Sequence, residues 1–258
     1  MNPTLFSLNS FSLMGKNAIV TGGNSGLGQA FSDGLARAGA NIHVTSIMQE
    51  NGKTRELVEA QGVKYRRLQA DITQTGSVET VIGDCINTLG DIDILVNCAG
   101  ISLLADIQDF GREQWDKMVQ VNLTAAFEFS HHVGNHMIKR GSGKIINVCS
   151  VFSFLGGIGS PAYAATKHGI AGLTKTYSDE LAKHNIQVNG IAPGYFKTAL
   201  TQATFADPTK AKKVLDRIPA DRLGVPEDLM GAVVFLASPA SNYVNGHILS
   251  VDGGYLVR

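Results

Sequence analysis

What constrains this chain most is an alternation. Short runs rich in β-branched residues trade places, along its whole length, with longer segments of helical character. The spacing predicts strands at Asn17–Thr21, Asn41–Ser46, Lys64–Gln69, Ile92–Asn97, Lys144–Cys149, Gln187–Ile191 and His247–Val251. Between them it predicts helices over Leu27–Ala38, Lys53–Gln61, Thr75–Leu89, Arg112–Lys139, Tyr163–Lys183 and Glu227–Ala237. A strand that returns through a helix lies parallel to its predecessor, so the pattern reads as βαβ units sharing one sheet. Runs such as Ala18-Ile19-Val20 and Ile94-Leu95-Val96 are apolar without a break, as strands are when helices cover both faces. The crossovers are expected to be right-handed.

No Pro-, Gly- or Ser-rich linker and no internal repeat interrupts the 258 residues, so one domain spanning 1–258 is expected. A chain of this size buries enough surface to need no staples. Its 22 Lys and Arg balance 22 Asp and Glu, which gives no electrostatic reason to expect nucleic acid or an anionic membrane as partner. Cys85, Cys98 and Cys149 form no pairing pattern and suit a reducing cytoplasm. Residues 1–14 lack a basic region, and Ser and Asn break up their apolar residues. They read as an arm packing on the domain or on a neighbouring subunit, not as a signal peptide. No apolar stretch is long enough for a membrane span. One irregular segment, about 195–220, follows a predicted strand on the side where open α/β sheets bind ligands, and is expected to be a substrate lid.

Thr21-Gly22-Gly23-Asn24-Ser25-Gly26-Leu27-Gly28 lies between the first strand and the first helix. That is the setting a glycine-rich phosphate turn requires. Glycine lets the backbone turn tightly and approach a pyrophosphate, while the helix start offers free N–H groups and partial positive charge. The end of the second strand reads the adenosine ribose: an acid there favours NAD, a nearby Arg NADP. Ser46 and Ile47 give neither signal, and with no cation for the extra phosphate the expected cofactor is NAD, NADP not being excluded.

Tyr163 and Lys167 stand four residues apart in a predicted helix that opens near Pro161, so they share a face. An ammonium beside a phenol favours the phenolate, and a phenol so placed can exchange a proton with a carbonyl or alcohol oxygen. Ser150 follows the fifth strand, where its hydroxyl can bond the reacting oxygen.

With Asn97-Cys98-Ala99-Gly100, Asn122 and Pro193–Thr198 added in order, and a run to Val251–Gly254, the sequence resembles the short-chain dehydrogenase/reductase family over essentially its whole length. The resemblance implies a Rossmann-like, doubly wound α/β fold with a seven-stranded parallel sheet in the order 3-2-1-4-5-6-7. It implies an NAD(P)-dependent enzyme moving a hydride between the dinucleotide and a small carbonyl or alcohol. By it Tyr163 is the acid/base, Ser150 orients the substrate oxygen, Lys167 supports Tyr163 and holds the nicotinamide ribose, and Asn122 holds a relay water. Cofactor contacts are implied for Gly22, Asn24, Ser25, Gly26, Leu27, Gly28, Ser46, Asp71, Ile72, Asn97, Ala99, Gly100, Pro193, Gly194, Phe196 and Thr198, besides Tyr163 and Lys167. A homotetramer is implied too, with the terminal Tyr255–Arg258 helping to build it.

Within the family, the leader from Phe11 to Gln29, the stretch Lys144–Gly157 and the motif Arg217–Gly224 resemble the branch of 2-dehydro-3-deoxy-D-gluconate and gluconate 5-dehydrogenases. That branch carries an Arg pair after the Asn-Ala-Gly turn, where a substrate carboxylate could be met. Here Ser102-Leu103-Leu104 stand instead. Either another cation serves, Lys197 and Arg222 being candidates, or the substrate is a neutral polyol or ketose. A 3-oxoacyl thioester reductase and a non-catalytic dinucleotide sensor are the further alternatives. His132 and His136 have i, i+4 spacing but no third ligand, so no metal site is expected. Phe152, Phe154 and Leu155 are assigned equally to pocket wall and core.

Overall fold

The structure is a computed structural model that describes residues 7–198, 201 and 205–258. Seven parallel strands form one sheet in the order β3-β2-β1-β4-β5-β6-β7. They are β1 (Asn17–Thr21), β2 (Asn41–Ser46), β3 (Tyr65–Gln69), β4 (Ile94–Asn97), β5 (Gly143–Val148), β6 (Ile186–Pro193) and β7 (Ile248–Val251). Every residue of β1, β4 and β6 is buried, as their unbroken apolar character requires. On one side α1 (Gly26–Arg37) and α8 (Met230–Ala237) enclose a core containing Phe31, Leu35, Val44, Leu229 and Val233. On the other, α3 (Ser77–Leu89), α5 (Ala125–Arg140) and α6 (Pro161–Leu181) enclose Val81, Phe129, Val133, Ile145 and Val188. The remaining helices are α2 (Lys53–Glu59), α4 (Arg112–Val119) and α7 (Pro208–Leu215).

The expected strands and helices lie where the periodicity places them, with ends shifted by up to three residues, as helix and strand ends fray; α7, in the segment expected to be irregular, is additional. One helix departs. The expected continuous run Arg112–Lys139 is divided into α4 and α5 by a π-helical stretch, Gln120–Thr124. No Pro or Gly announces it. At its centre the side chain of Asn122 turns away from the helix to pair with the backbone of Ile101: its amide donates to the carbonyl at 2.9 Å, and its oxygen accepts from the N–H at 2.8 Å. Wide turns of this kind concentrate at functional sites.

Residues 7–14 pack on the same domain. Leu13 is buried, its N–H donates to Ala38 O at 2.7 Å, and the Phe11 and Phe235 rings lie 6.3 Å apart. Residues 1–6 of the expected arm, and 199–200 and 202–204 of the expected lid, lie outside the described residues. The described part of that segment contains α7 and then Ile218, which packs with Val151 and Tyr255. Among the described residues no helix is long and apolar enough to cross a membrane, and no group of acids, His and Cys could hold a metal ion.

Candidate active site

The glycine turn leaves β1 and enters α1 as the sequence suggests. Gly22 takes φ +67°, and a Cβ there would lie 3.1 Å from Ala99 Cα, so the turn after β1 touches the turn after β4. Gly28 has the tighter constraint: a Cβ would meet Gly22 O at 2.2 Å, so only glycine lets α1 start against the turn. No side chain caps α1, and its first turn holds no acid. The first N–H groups are therefore open to an anion. The Asn24 amide donates to Met48 O at 3.3 Å, tying the turn to the segment after β2, while its Oδ1 is buried without a partner. Glycines that admit no Cβ, an uncapped helix start and an orphaned polar oxygen together fit a dinucleotide pyrophosphate.

The second turn, Asn97–Gly100, is fixed by Thr21, which the sequence reading passed over. Its Oγ1 accepts from Cys98 N at 2.9 Å and from Ala99 N at 3.0 Å. Cys98 thus serves through its backbone, and burial pushes its thiol up to about 12, leaving no thiolate chemistry there. Asn97 points inward. Its amide donates to Asn147 Oδ1 at 2.9 Å and Ser130 Oγ at 3.0 Å, within the sheet's polar interior. The carboxylate of Asp71 is likewise occupied by its own turn. Hydrogen bonds from the Thr73 hydroxyl (2.7 Å) and N–H (3.0 Å) hold its pKa below the ordinary value. Ile72, next along, packs against the core behind α3.

Ser46 is buried at the end of β2, its Oγ accepting from Met48 N at 3.2 Å. No acid follows it directly, but a cation arrives from β3. Arg67 donates through Nη2 to Met48 O, and its Nε is buried without a partner. The sequence places this residue nineteen positions from Met48, so only the parallel β2–β3 pairing, Val44 opposite Arg67, reveals it.

The chemical end of the site is built on β5 and α6. Lys167 is 5% exposed, and its Nζ donates to Val148 O at 2.6 Å, anchoring the ammonium at the carboxyl end of β5. It lies 5.6 Å from the centre of the Tyr163 ring, one turn earlier on the same face. Ser150 starts the short 3-10 turn Val151–Ser153, its Oγ accepting from Phe152 N at 3.2 Å. Ser153 closes the unit by donating to Lys167 O at 2.7 Å, so strand end and helix move together. Thr166 joins Asn122 to this face, its hydroxyl donating to Tyr163 O at 2.9 Å and accepting from the Asn122 amide at 3.4 Å. Across from Tyr163 stand Phe152, with ring centres 6.0 Å apart, and then Tyr195.

This assembly has known counterparts, and the sequence profile described as short chain dehydrogenase matches residues 16–209. The chain belongs to the short-chain dehydrogenase family. It is 60% identical over 253 residues to the uncharacterized oxidoreductase YgcW of Escherichia coli (strain K12), covering 98% of this chain and 97% of that protein. It is 45% identical over 252 residues to the 2-dehydro-3-deoxy-D-gluconate 5-dehydrogenase of the same organism, covering 97% and 99%. Among solved structures, a gluconate 5-dehydrogenase from Burkholderia cenocepacia J2315, in complex with NADP and tartrate, superposes with a TM-score of 0.91 at 38% identity, covering 98% of this chain and all of that one. As a short-chain dehydrogenase this chain is an NAD(P)-dependent oxidoreductase acting on CH–OH groups.

The remaining residues expected at the family's cofactor site divide by geometry. Pro193 ends β6, and Gly194 passes so close to Asp252 that a Cβ would sit 2.7 Å from its Cα. Thr198 N donates to Thr201 Oγ1 at 3.2 Å. The ring of Phe196 is 4% exposed in the core, against Gly224, so only its backbone can face a ligand. Of the two cations considered for a substrate carboxylate, Arg222 is taken by Asp228, at 2.6 and 3.1 Å, and Lys197 is exposed on the 196–198 turn.

Proposed function

We propose that this enzyme interconverts a secondary alcohol and a ketone on a sugar acid, with Tyr163 as acid/base. The observation that carries the reading is Lys167, anchored at the carboxyl end of β5, standing 5.6 Å from the Tyr163 ring, with Ser150 just beyond the same strand end. The substrate class rests on relatives named for 2-dehydro-3-deoxy-D-gluconate and gluconate, over nearly the full chain.

Gly22, Ser25, Gly26 and Gly28 would hold the nicotinamide dinucleotide, which would supply the hydride donor and acceptor. The protein handles the proton. In the oxidative direction the alcohol O–H passes its proton to the Tyr163 oxygen; in reduction the phenol returns it to the carbonyl oxygen. The Lys167 ammonium, held by Val148 O, places a positive charge 5.6 Å from the centre of the Tyr163 ring. Ser150 Oγ donates to the reacting oxygen and fixes its distance from Tyr163. Asn122 keeps residues 100–102 in place through Ile101, which positions the wall of the pocket. Tyr195, against Phe152, belongs to the described part of the segment expected to cover the substrate. A cytoplasmic homotetramer belongs to the same proposal; Trp115 on α4 and Phe127 on α5 are exposed apolar surface that such an assembly would cover.

Oxidation of NADH and NADPH is measured against 5-keto-D-gluconate, L-sorbose and an acetoacetyl thioester, and reduction of NAD and NADP against 2-dehydro-3-deoxy-D-gluconate. Turnover of the sugar acids is expected, and Tyr163→Phe is expected to lower it by at least about 100-fold. Near-normal rates in that variant would overturn the mechanism. Activity confined to L-sorbose or to the thioester would overturn the substrate class.

A further inference from the structure

The segment after Gly100 offers Leu103 and Leu104 where an acid-binding cation would be convenient, and Arg222 is spent on Asp228. A carboxylate at one end of a six-carbon chain lies four C–C bonds of about 1.5 Å from a reacting C5. Its partner must therefore stand across the pocket from Tyr163.

A row of aromatic rings leads from Tyr163 towards the C-terminal segment. Phe152 is 6.0 Å from Tyr163 and 6.4 Å from Tyr195, and Tyr195 is 5.3 Å from Tyr255, centre to centre. At the far end the guanidinium of Arg217 lies 4.3 Å over the Tyr255 ring. Tyr255 is 4% exposed and packs with Val151 and Ile218, so the ring is a fixed support.

Arg217 is exposed and pairs with no acid among the described residues. The acid beside it, Asp216, is held by Lys212 at 2.8 and 2.9 Å. Asp252 accepts from the N–H groups of Gly254 and Leu256. A guanidinium stacked on a ring keeps its N–H edge free and loses little freedom on forming two parallel bonds to a carboxylate.

We propose that Arg217, braced by Tyr255, reads the substrate carboxylate and takes the place of the Arg pair missing after Gly100. The proposal rests on the sugar-acid reading above. Wild type, Arg217→Gln and Arg217→Lys are compared in KM and kcat with 5-keto-D-gluconate, 2-dehydro-3-deoxy-D-gluconate and L-sorbose, the last being the ketose that carries an alcohol where 5-keto-D-gluconate carries its carboxylate. Arg217→Gln is expected to raise KM for the acids about 10- to 100-fold, the loss of a charge-assisted hydrogen bond, with kcat within about two-fold. Arg217→Lys should recover part of the loss, and any L-sorbose activity should be unchanged. An unchanged KM for the acids overturns the Arg217 assignment and leaves the sugar-acid reading standing, as does an equal loss on acid and ketose. A wild-type enzyme that turns over L-sorbose and neither acid overturns the sugar-acid reading itself.

Discussion

Lys144 opens β5 and is 8% exposed, yet its ammonium meets no carboxylate. It donates only to Ser241 Oγ at 3.2 Å and Asn242 Oδ1 at 3.0 Å. Burial lowers its pKa from 10.5 to about 8. That difference corresponds to about 3 kcal/mol of penalty on the charged form, at 1.36 kcal/mol per unit. Below pH 8 both folded and unfolded chains carry the proton and the folded state bears the whole penalty. Between pH 8 and 10.5 the unfolded chain holds the proton that the folded chain has released, so this contribution to stability rises with pH. Lys144→Met removes the charge and two neutral acceptors' hydrogen bonds, which offset the gain by about 1–2 kcal/mol. The variant should be about 1 kcal/mol more stable than wild type at pH 7, a rise of about 2–4 °C in Tm for a chain of this length. Its advantage should shrink by about 2 kcal/mol by pH 9.5, and so change sign. Urea unfolding of both proteins at matched concentration, at pH 7 and 9.5, reads this as a difference of differences in which every other titrating group cancels. A difference that does not move with pH would refute the reasoning and place the proton elsewhere.

Gly28→Ala forces a methyl group to within 2.2 Å of Gly22 O, so the turn must shift at an overpacking cost of about 1–3 kcal/mol. NADPH titration by fluorescence should show roughly ten-fold or weaker binding, while Gly231→Ala, on α8 with open space around it, should bind normally. Thr21→Val removes the shared acceptor of Cys98 and Ala99, and a stability loss of about 1–3 kcal/mol is expected in urea, together with weaker dinucleotide binding. Arg67→Ala should weaken NADPH about ten-fold and NADH less than two-fold in the same titration, since only the former carries a phosphate for the guanidinium. Equal effects on the two dinucleotides would remove Arg67 from cofactor choice.

The parallel sheet and the juxtaposition of Tyr163 and Lys167 were legible because both depend on local pattern. Unbroken apolar strands and an i, i+4 pair on one helix are periodicities that a sequence carries openly. What stayed hidden was the direction of polar side chains. Asn97, Asp71 and Asn122 all stand in ligand-like motifs, but each spends its side chain on the protein: Asn97 on Asn147, Asp71 on Thr73, Asn122 on Ile101. A motif fixes where a backbone turn lies, while the partner of its side chain depends on strands and helices dozens of residues away.

The surroundings of the cations stayed hidden for the same reason. Arg222 lies in a family-specific motif and is neutralised six residues on by Asp228. Arg67 looks ordinary in its strand, and Arg217 shares the motif of Arg222 with nothing in the sequence to set it apart; their surroundings show only when β2 pairs with β3 and when the chain's end brings Tyr255 beneath Arg217. Both are held by something other than an acid, a carbonyl in one case and a ring in the other, so each keeps its charge available. In a chain whose formal charges cancel, a guanidinium held by no acid is where an anionic group would gain most. If the Arg67 and Arg217 tests both succeed, cofactor phosphate and substrate carboxylate are recognised independently, by residues from separate parts of the chain.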